Sequence, residues 1–527
     1  MKKNTYIKDV DMPLMHPDHK RPVTRREFVS QGFSFGTGLA MGGSLAGLMA
    51  GNKAHALSDE LDGILRNQCG AFSSEDAKIP FICFDLAGGA NFAGSSVLVG
   101  GPNGQLDTLD TSGYQRLGLP ANMTPDSSTG DFIDESFGLK FHSDSPYLRG
   151  MLEKVEADAR GLINGAVIPA RSENDTGNNP HNPMYSINKI GANGELLALI
   201  GSRSSDSGGN SMAPMANINL GVRPTKIDRA SDATSLVDTG ELINLLGRVD
   251  TEAVMESVYH LSKVKMDRVS GAGLTTNDLV GQLVECGYLK AASNAERDKD
   301  SVNPDTDDII VGEADSIFSA EDYEDREFRK TAAIMKLVID GWAGAGTITM
   351  GGYDYHGGRR ARGETRDFRA GRAIGAVLQY AHRQQKPVMV YVFSDGSLSS
   401  NGMIDDTVEG RDKGEWTSDN QQTACSWFMV YNPGGKPQLL GGTEDEQFRH
   451  QQIGHFRPSG NVETSSSPMA NNVNLLVDAV ALNYMALHGE VGGFVDMFGN
   501  QLGATGELDR YVAFNPIVNG NIGNPVT

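Results

Sequence analysis

Residues 347–358 read Thr347-Ile-Thr-Met-Gly-Gly-Tyr-Asp-Tyr-His-Gly-Gly358, and further on Pro387-Val-Met-Val-Tyr-Val-Phe393 runs into Ser394-Asp395-Gly396-Ser397. Thr347–Met350 is a short β-prone run that stops at paired glycines. Residues 388–393 form an unbroken apolar run rich in β-formers, the pattern of a strand buried on both faces. Between them, Phe368 to Arg383 places Ile374, Leu378 and Ala381 on one side of a helix. Strand, glycine-rich loop, helix, strand, polar loop is the order expected of a parallel α/β sheet. Such sheets bind ligands beyond the carboxyl ends of their strands. Asp354, His356 and Asp395 fall there, so this stretch decides both the fold class and where to look for chemistry.

The flanking sequence extends the pattern. Residues 79–86 (Ile-Pro-Phe-Ile-Cys-Phe-Asp-Leu) predict a buried strand that breaks at Ala87-Gly-Gly-Ala-Asn91. Glycine and serine then dominate to about residue 130, and this long irregular segment carries Ser95 and Ser96. A helix is predicted over 145–158 and a second buried strand over 160–169, followed by a polar loop, 171–183, with Ser172 and His181. Ser319 is placed to cap a helix whose Phe328, Ala332, Met335 and Ile339 share a face. A last helix, 469–488, covers a sheet face with Val473, Leu476, Val477, Val480, Tyr484 and Leu487. Asp298 to Asp308 alternates carboxylates but lacks the glycine and glutamate of an EF-hand loop, so it reads as a solvated linker. With no internal repeat, the simplest organisation is one α/β domain over 57–527 with a helical insertion around 225–340.

Composition narrows the function classes. The chain has 527 residues, 39% hydrophobic and 21% charged, with a mean hydropathy of −0.33, as in soluble globular proteins. A net charge of −21 repels phosphate backbones and excludes nucleic acid as the expected partner. Cys69, Cys83, Cys286 and Cys425 form no Cys-x-x-Cys pair, which removes zinc-ribbon and thioredoxin-like readings. At the start, Thr24-Arg25-Arg26-Glu27-Phe28 precedes a weakly hydrophobic, glycine-rich stretch, Phe33–Met49, and then Ala54-His55-Ala56. Paired arginines, a segment too short to span a bilayer, and a small-x-small site resemble a twin-arginine export signal over 1–56, cleaved after Ala56. Export by the twin-arginine translocase to the periplasm or beyond is expected, with no transmembrane segment in the mature chain.

Taken together, Asp85, Asn91, His181, Asp354, His356 and Asp395 stand at predicted strand ends. Carboxylates and imidazoles converging on one edge suit a divalent cation: magnesium, calcium or manganese through oxygen, zinc where imidazoles join. Two such ions about 4 Å apart clamp the attacking and leaving oxygens of an ester, with a serine alkoxide as nucleophile. Ser95, Ser96 and Ser172 are the candidates. The alternative for Asp354 and His356 is a glycine-rich turn whose polar side chains satisfy local backbone. Asp395 is equally suited to stabilising a turn, and His181 to an ordinary polar loop. Arg359, Arg360 and Arg362 pair with carboxylates or hold an anionic substrate.

Several stretches in order carry a resemblance. Leu86-Ala-Gly-Gly-Ala-Asn91 is similar to a Leu-x-Gly-Gly-x-Asp loop, Phe137-Gly-Leu-Lys-Phe-His142 to Phe-Gly-Leu-His, and Gly351-Gly-Tyr-Asp-Tyr-His356 to Gly-Gly-Trp-Asp-Thr-His. Ser394-Asp395 stands where the pattern has Ser-Glu. The chain resembles a bacterial family of twin-arginine-exported proteins of uncharacterised function, placed in the alkaline-phosphatase/sulfatase superfamily. The resemblance implies a mostly parallel central sheet with helices on both faces, and metal-dependent hydrolysis of a phosphate or sulfate ester on a small anionic substrate. It makes Asp354, His356 and Asp395 the metal ligands, with Asp85, Asn91 and His181 as weaker ones. The chain also departs from the pattern. Asn91 replaces an aspartate, Gly396 stands where a histidine is common, and Asp419-Asn420-Gln421 replaces Asp-His-Gly. The expected site is therefore incomplete, and a non-catalytic exported binding or scaffold protein on the same fold is the alternative.

Overall fold

The structure is a computed structural model that describes residues 77–172, 179–237, 254, 257–264 and 299–526. The chain divides into two compact units, Met1–Cys69 with Thr239–Glu296, and Gly70–Asp238 with Arg297–Thr527. The second unit holds the central sheet and every candidate site residue described. Arg25, Arg26 and the expected cleavage after Ala56 lie outside the described residues, as does most of 238–298 within the expected insertion.

A seven-stranded sheet is built from β1 (Phe81–Ala87), β4 (Ile163–Pro169), β5 (Leu197–Gly201), β6 (Thr225–Lys226), β7 (Ala343–Gly351), β8 (Val388–Phe393) and β11 (Cys425–Tyr431), in the order β4-β11-β8-β1-β7-β5-β6. β1 lies at the centre and pairs in parallel with β7 and β8, which sets Asp85 opposite Thr349 and Phe393. Only β11 is reversed, pairing antiparallel with both β8 and β4. The hairpins β2 (Ile133–Phe137)/β3 (Leu139–His142), β9 (Leu398–Asp405)/β10 (Lys413–Asp419) and β12 (Val518–Asn519)/β13 (Asn521–Pro525) stand apart from the sheet.

Both sheet faces are buried, which is why the strands read as unbroken apolar runs. Strand alternation sends Ile82, Phe84, Leu86, Val388, Val390 and Val392 into one core. Helices α1 (Pro146–Lys154), α3 (Arg326–Ile339) and α4 (Arg360–Arg383) cover that side. Phe81, Cys83, Met389, Tyr391 and Phe393 point into a second core under α2 (Met184–Lys189) and α5 (Val473–Leu487). The α/β class with a mostly parallel sheet and helices on both faces follows. No helix among the described residues is long and apolar enough to cross a membrane.

Two helix starts differ from expectation. Helix α3 is capped by Asp325, whose carboxylate accepts from the Glu327 N–H at 2.8 Å, while Ser319 accepts from the Asp322 N–H at 3.1 Å and caps the preceding turn instead. Helix α4 begins at Arg360 rather than Phe368, because its polar first turns are buried through ion pairing: Arg360 and Glu364 pair at 2.7 Å. Helices α1 and α4 pack backbone to backbone where Gly150 and Gly371 face each other's partner, and a Cβ at either would collide with main chain. That close approach brings Tyr147 of α1 onto Asp367 of α4, at 2.9 Å.

Candidate metal centre at the carboxyl edge

The β1 loop and the residues after β8 are tied together first. Gly88 and Gly89 have φ of +125° and +99°, values that favour glycine. Their N–H groups turn toward the next strand: Gly88 donates to Asp395 Oδ1 at 2.8 Å, and Gly89 and Ala90 donate to Ser394 Oγ at 3.1 and 2.8 Å. Ser394 Oγ donates in turn to the Leu86 carbonyl at 2.6 Å. Asp395 Oδ2 accepts from Asn210 Nδ2 at 3.3 Å, and its main-chain carbonyl accepts from Ser172 Oγ and Asn179 Nδ2 at 2.7 and 2.9 Å. Asp395 thus acts as a buried junction between loops.

Asp85 is similarly occupied. It is fully buried, and Oδ2 accepts from the N–H groups of Asn210 and Ser211 at 2.6 and 2.9 Å. Burial pushes its carboxyl above the usual range, against the pull of those two donors. Asn91 spends its amide on the Leu398 carbonyl at 2.8 Å, leaving Oδ1 buried with no donor among the described residues. His181 is buried and stacked on Phe393, with Nε2 at 3.3 Å from Ser172 Oγ, and burial pushes its imidazole down to about 3. Ser95, Ser96 and Ser172 are all buried. Four expected ligand positions, Asp85, Asn91, His181 and Asp395, are therefore interior groups, and the serines offer no exposed nucleophile.

Asp354 and His356 behave differently. Along 353–356 the chain alternates: Tyr353 and Tyr355 are buried, while the side chains of Asp354 and His356 are 56% and 41% exposed. The loop is seated from two sides. Gly88 packs so closely under it that a Cβ would collide with the Asp354 nitrogen, and the Gly358 N–H donates to the Trp416 carbonyl on β10 at 2.7 Å. β10 ends at Asp419, which comes in beside the loop. His356 Nδ1 contacts Asp354 Oδ1 and lies 3.1 Å from Asp419 Oδ1. One ligand atom from each of Asp354, His356 and Asp419 lies within 4.8 Å of the others, and Asp395 does not join this group.

The donor set fits a divalent cation. His356 Nδ1 is covered from solvent and, among the described residues, has no hydrogen bond of proper geometry, although two carboxylates converge on it. One imidazole nitrogen with two carboxylates suits zinc or manganese better than calcium, which prefers oxygen alone. The second such group among the described residues, Glu156, Asp158 and His382, is a surface ion-pair cluster in which Glu156 pairs with Arg383.

Asp419 is the member that the sequence reading did not count among the candidate ligands. Its signal was position: it stands first in Asp419-Asn420-Gln421, where the resembling family has Asp-His-Gly. Under the loop, Glu364 is surrounded by Arg360, Arg149 and Lys413 at 2.7, 2.7 and 2.9 Å, a buried network that fixes the start of α4. These cations hold the Glu364 carboxyl below its ordinary range despite its burial. Comparisons of the chain with family models, with curated proteins and with solved structures find no match.

Proposed function

We propose that this chain is an exported, alkaline-phosphatase-like α/β protein that binds one divalent cation through Asp354, His356 and Asp419 and acts on a phosphate or sulfate ester. The observation that carries the proposal is the convergence of two carboxylates on His356 Nδ1 at the carboxyl edge of β7. A cation held there supplies Lewis-acid polarisation of an ester oxygen. The chain's own residues hold and orient. The Gly88 and Gly358 contacts seat the ligand loop. Arg359 and Arg362, exposed where α4 begins, supply positive charge for an anionic substrate.

A second reading has its own observation. Asp85 and Asp395 spend their oxygens on internal donors and the candidate serines are buried, which favours cation-dependent binding without turnover. Titration of the mature protein with Mn²⁺ and Zn²⁺, followed by chromogenic phosphate and sulfate esters on wild type and Asp354→Ala, separates the cases. Binding with turnover lost in the variant supports the hydrolase. Binding without turnover supports the scaffold. No cation bound by the wild type overturns both.

A further inference from the structure

We propose, on the premise that Asp354, His356 and Asp419 hold a cation, that the buried Asp367 carboxyl positions the ligand loop through Tyr355 and couples cation binding there to one proton. Tyr355 lies between the two loop ligands, so the direction of its ring fixes how Asp354 and His356 point away from it. Its hydroxyl is clamped to both Asp367 oxygens, at 2.9 and 3.0 Å, and the same carboxyl takes the Tyr147 hydroxyl at 2.9 Å. The Asn91 N–H closes the clamp by donating to the Tyr355 hydroxyl at 3.3 Å. Beside it the Tyr353 hydroxyl donates to the Arg366 carbonyl at 3.0 Å. Gly363 of α4 leaves room for this seat, since a Cβ there would press on the Tyr355 ring at 3.0 Å and on Trp416 Nε1 at 3.3 Å. One short stretch of α4 therefore carries both the Asp354–His356 loop and the strand that brings Asp419.

The groups around Asp367 define its charge state. Tyr147 faces it from α1, Tyr353 and Tyr355 from the loop, and Glu364 and Arg360 from α4 itself. Burial pushes its carboxyl up to about 8; the tyrosine hydroxyls and Arg360 oppose that rise and Glu364 adds to it. Tyr147 and Tyr355 are raised well above their ordinary range, so they stay neutral donors. At neutral pH the clamp holds a proton. A cation on the loop attracts the carboxylate form, and by reciprocity the carboxylate form binds the cation more tightly.

The test is calorimetric titration with MnCl₂ of wild type, Asp354→Ala, Asp367→Asn and Tyr355→Phe from pH 6.5 to 9. Two buffers of different ionisation enthalpy give the protons released on binding. Wild-type affinity should rise roughly 5-fold or more across this range relative to Asp367→Asn, a typical coupling between linked sites. Asp367→Asn should also release fewer protons near pH 8. Asn keeps an acceptor for both tyrosines, and Tyr355→Phe provides a second variant that removes only the clamp's hydroxyl. If wild type binds, Asp354→Ala does not, and Asp367→Asn and Tyr355→Phe match wild type in affinity, pH profile and proton count, the coupling is overturned while the cation site stands. If wild type binds nothing, the premise itself fails.

Discussion

Two sets of acidic residues share the carboxyl edge of one sheet and live in opposite environments. Asp85 and Asp395 are buried, and their oxygens accept from Asn210, Ser211 and Gly88 main chain. Asp354 and Asp419 are about half exposed, and an oxygen of each meets the same imidazole nitrogen. A strand-end carboxylate is thus not a ligand by position alone. Where glycine turns aim N–H groups at it, it becomes a structural acceptor. Where it projects to the surface, as Asp354 does from the loop seated on Trp416 and Gly88, it can meet a cation.

The sharpest way to break this contrast is to truncate each kind. Asp85→Ala leaves two buried backbone donors unpaired and should cost about 3–5 kcal/mol in denaturant unfolding. Asp354→Ala should shift stability by less than about 0.5 kcal/mol in the absence of metal. Equal losses would erase the distinction. Gly88→Ala joins the two regions, because a Cβ there meets the Asp354 nitrogen at a φ of +125°. It should cost on the order of 1–3 kcal/mol and also weaken cation binding, since the ligand loop must move.

A further effect appears in the pH dependence of stability. The unfolded chain releases the Asp367 proton near 4, whereas the folded chain keeps it to about 8. Between these values the native state binds more protons, so stability falls as pH rises and levels off above about 8. Asp85, also raised, adds to the same slope. Asp367→Asn should flatten thermal melts across this window, and an unchanged slope would place the proton elsewhere. The smallest change is expected from Asp419→Asn, within about 0.5 kcal/mol of wild type in metal-free melts, because its carboxylate is about half exposed.

Much of the fold was legible in sequence for a physical reason: β1, β7 and β8 are buried on both faces, so their apolar runs are unbroken. The start of α4 was not, because Arg360, Glu364 and Asp367 look like surface residues until ion pairs and tyrosine hydroxyls bury them. The cap at Asp325 was also missed, because Ser319 serves a short turn of its own ahead of the helix. Within the candidate site, Asp354 and His356 were legible from their strand-end motif. Asp419 was not, since only the β9/β10 hairpin brings it to the loop. Asp395 looked like a ligand because nothing in sequence reports that Gly88 and Asn210 take its oxygens.

The central claim is that the cation site is completed by Asp419 and not by Asp395. Equilibrium titration with Mn²⁺ of wild type, Asp419→Asn and Asp395→Asn tests it most directly, with folding checked by circular dichroism. The account predicts at least roughly 10-fold weaker binding for Asp419→Asn, and near wild-type binding for whatever fraction of Asp395→Asn folds. The reverse order, or a wild type that binds no cation, would contradict it.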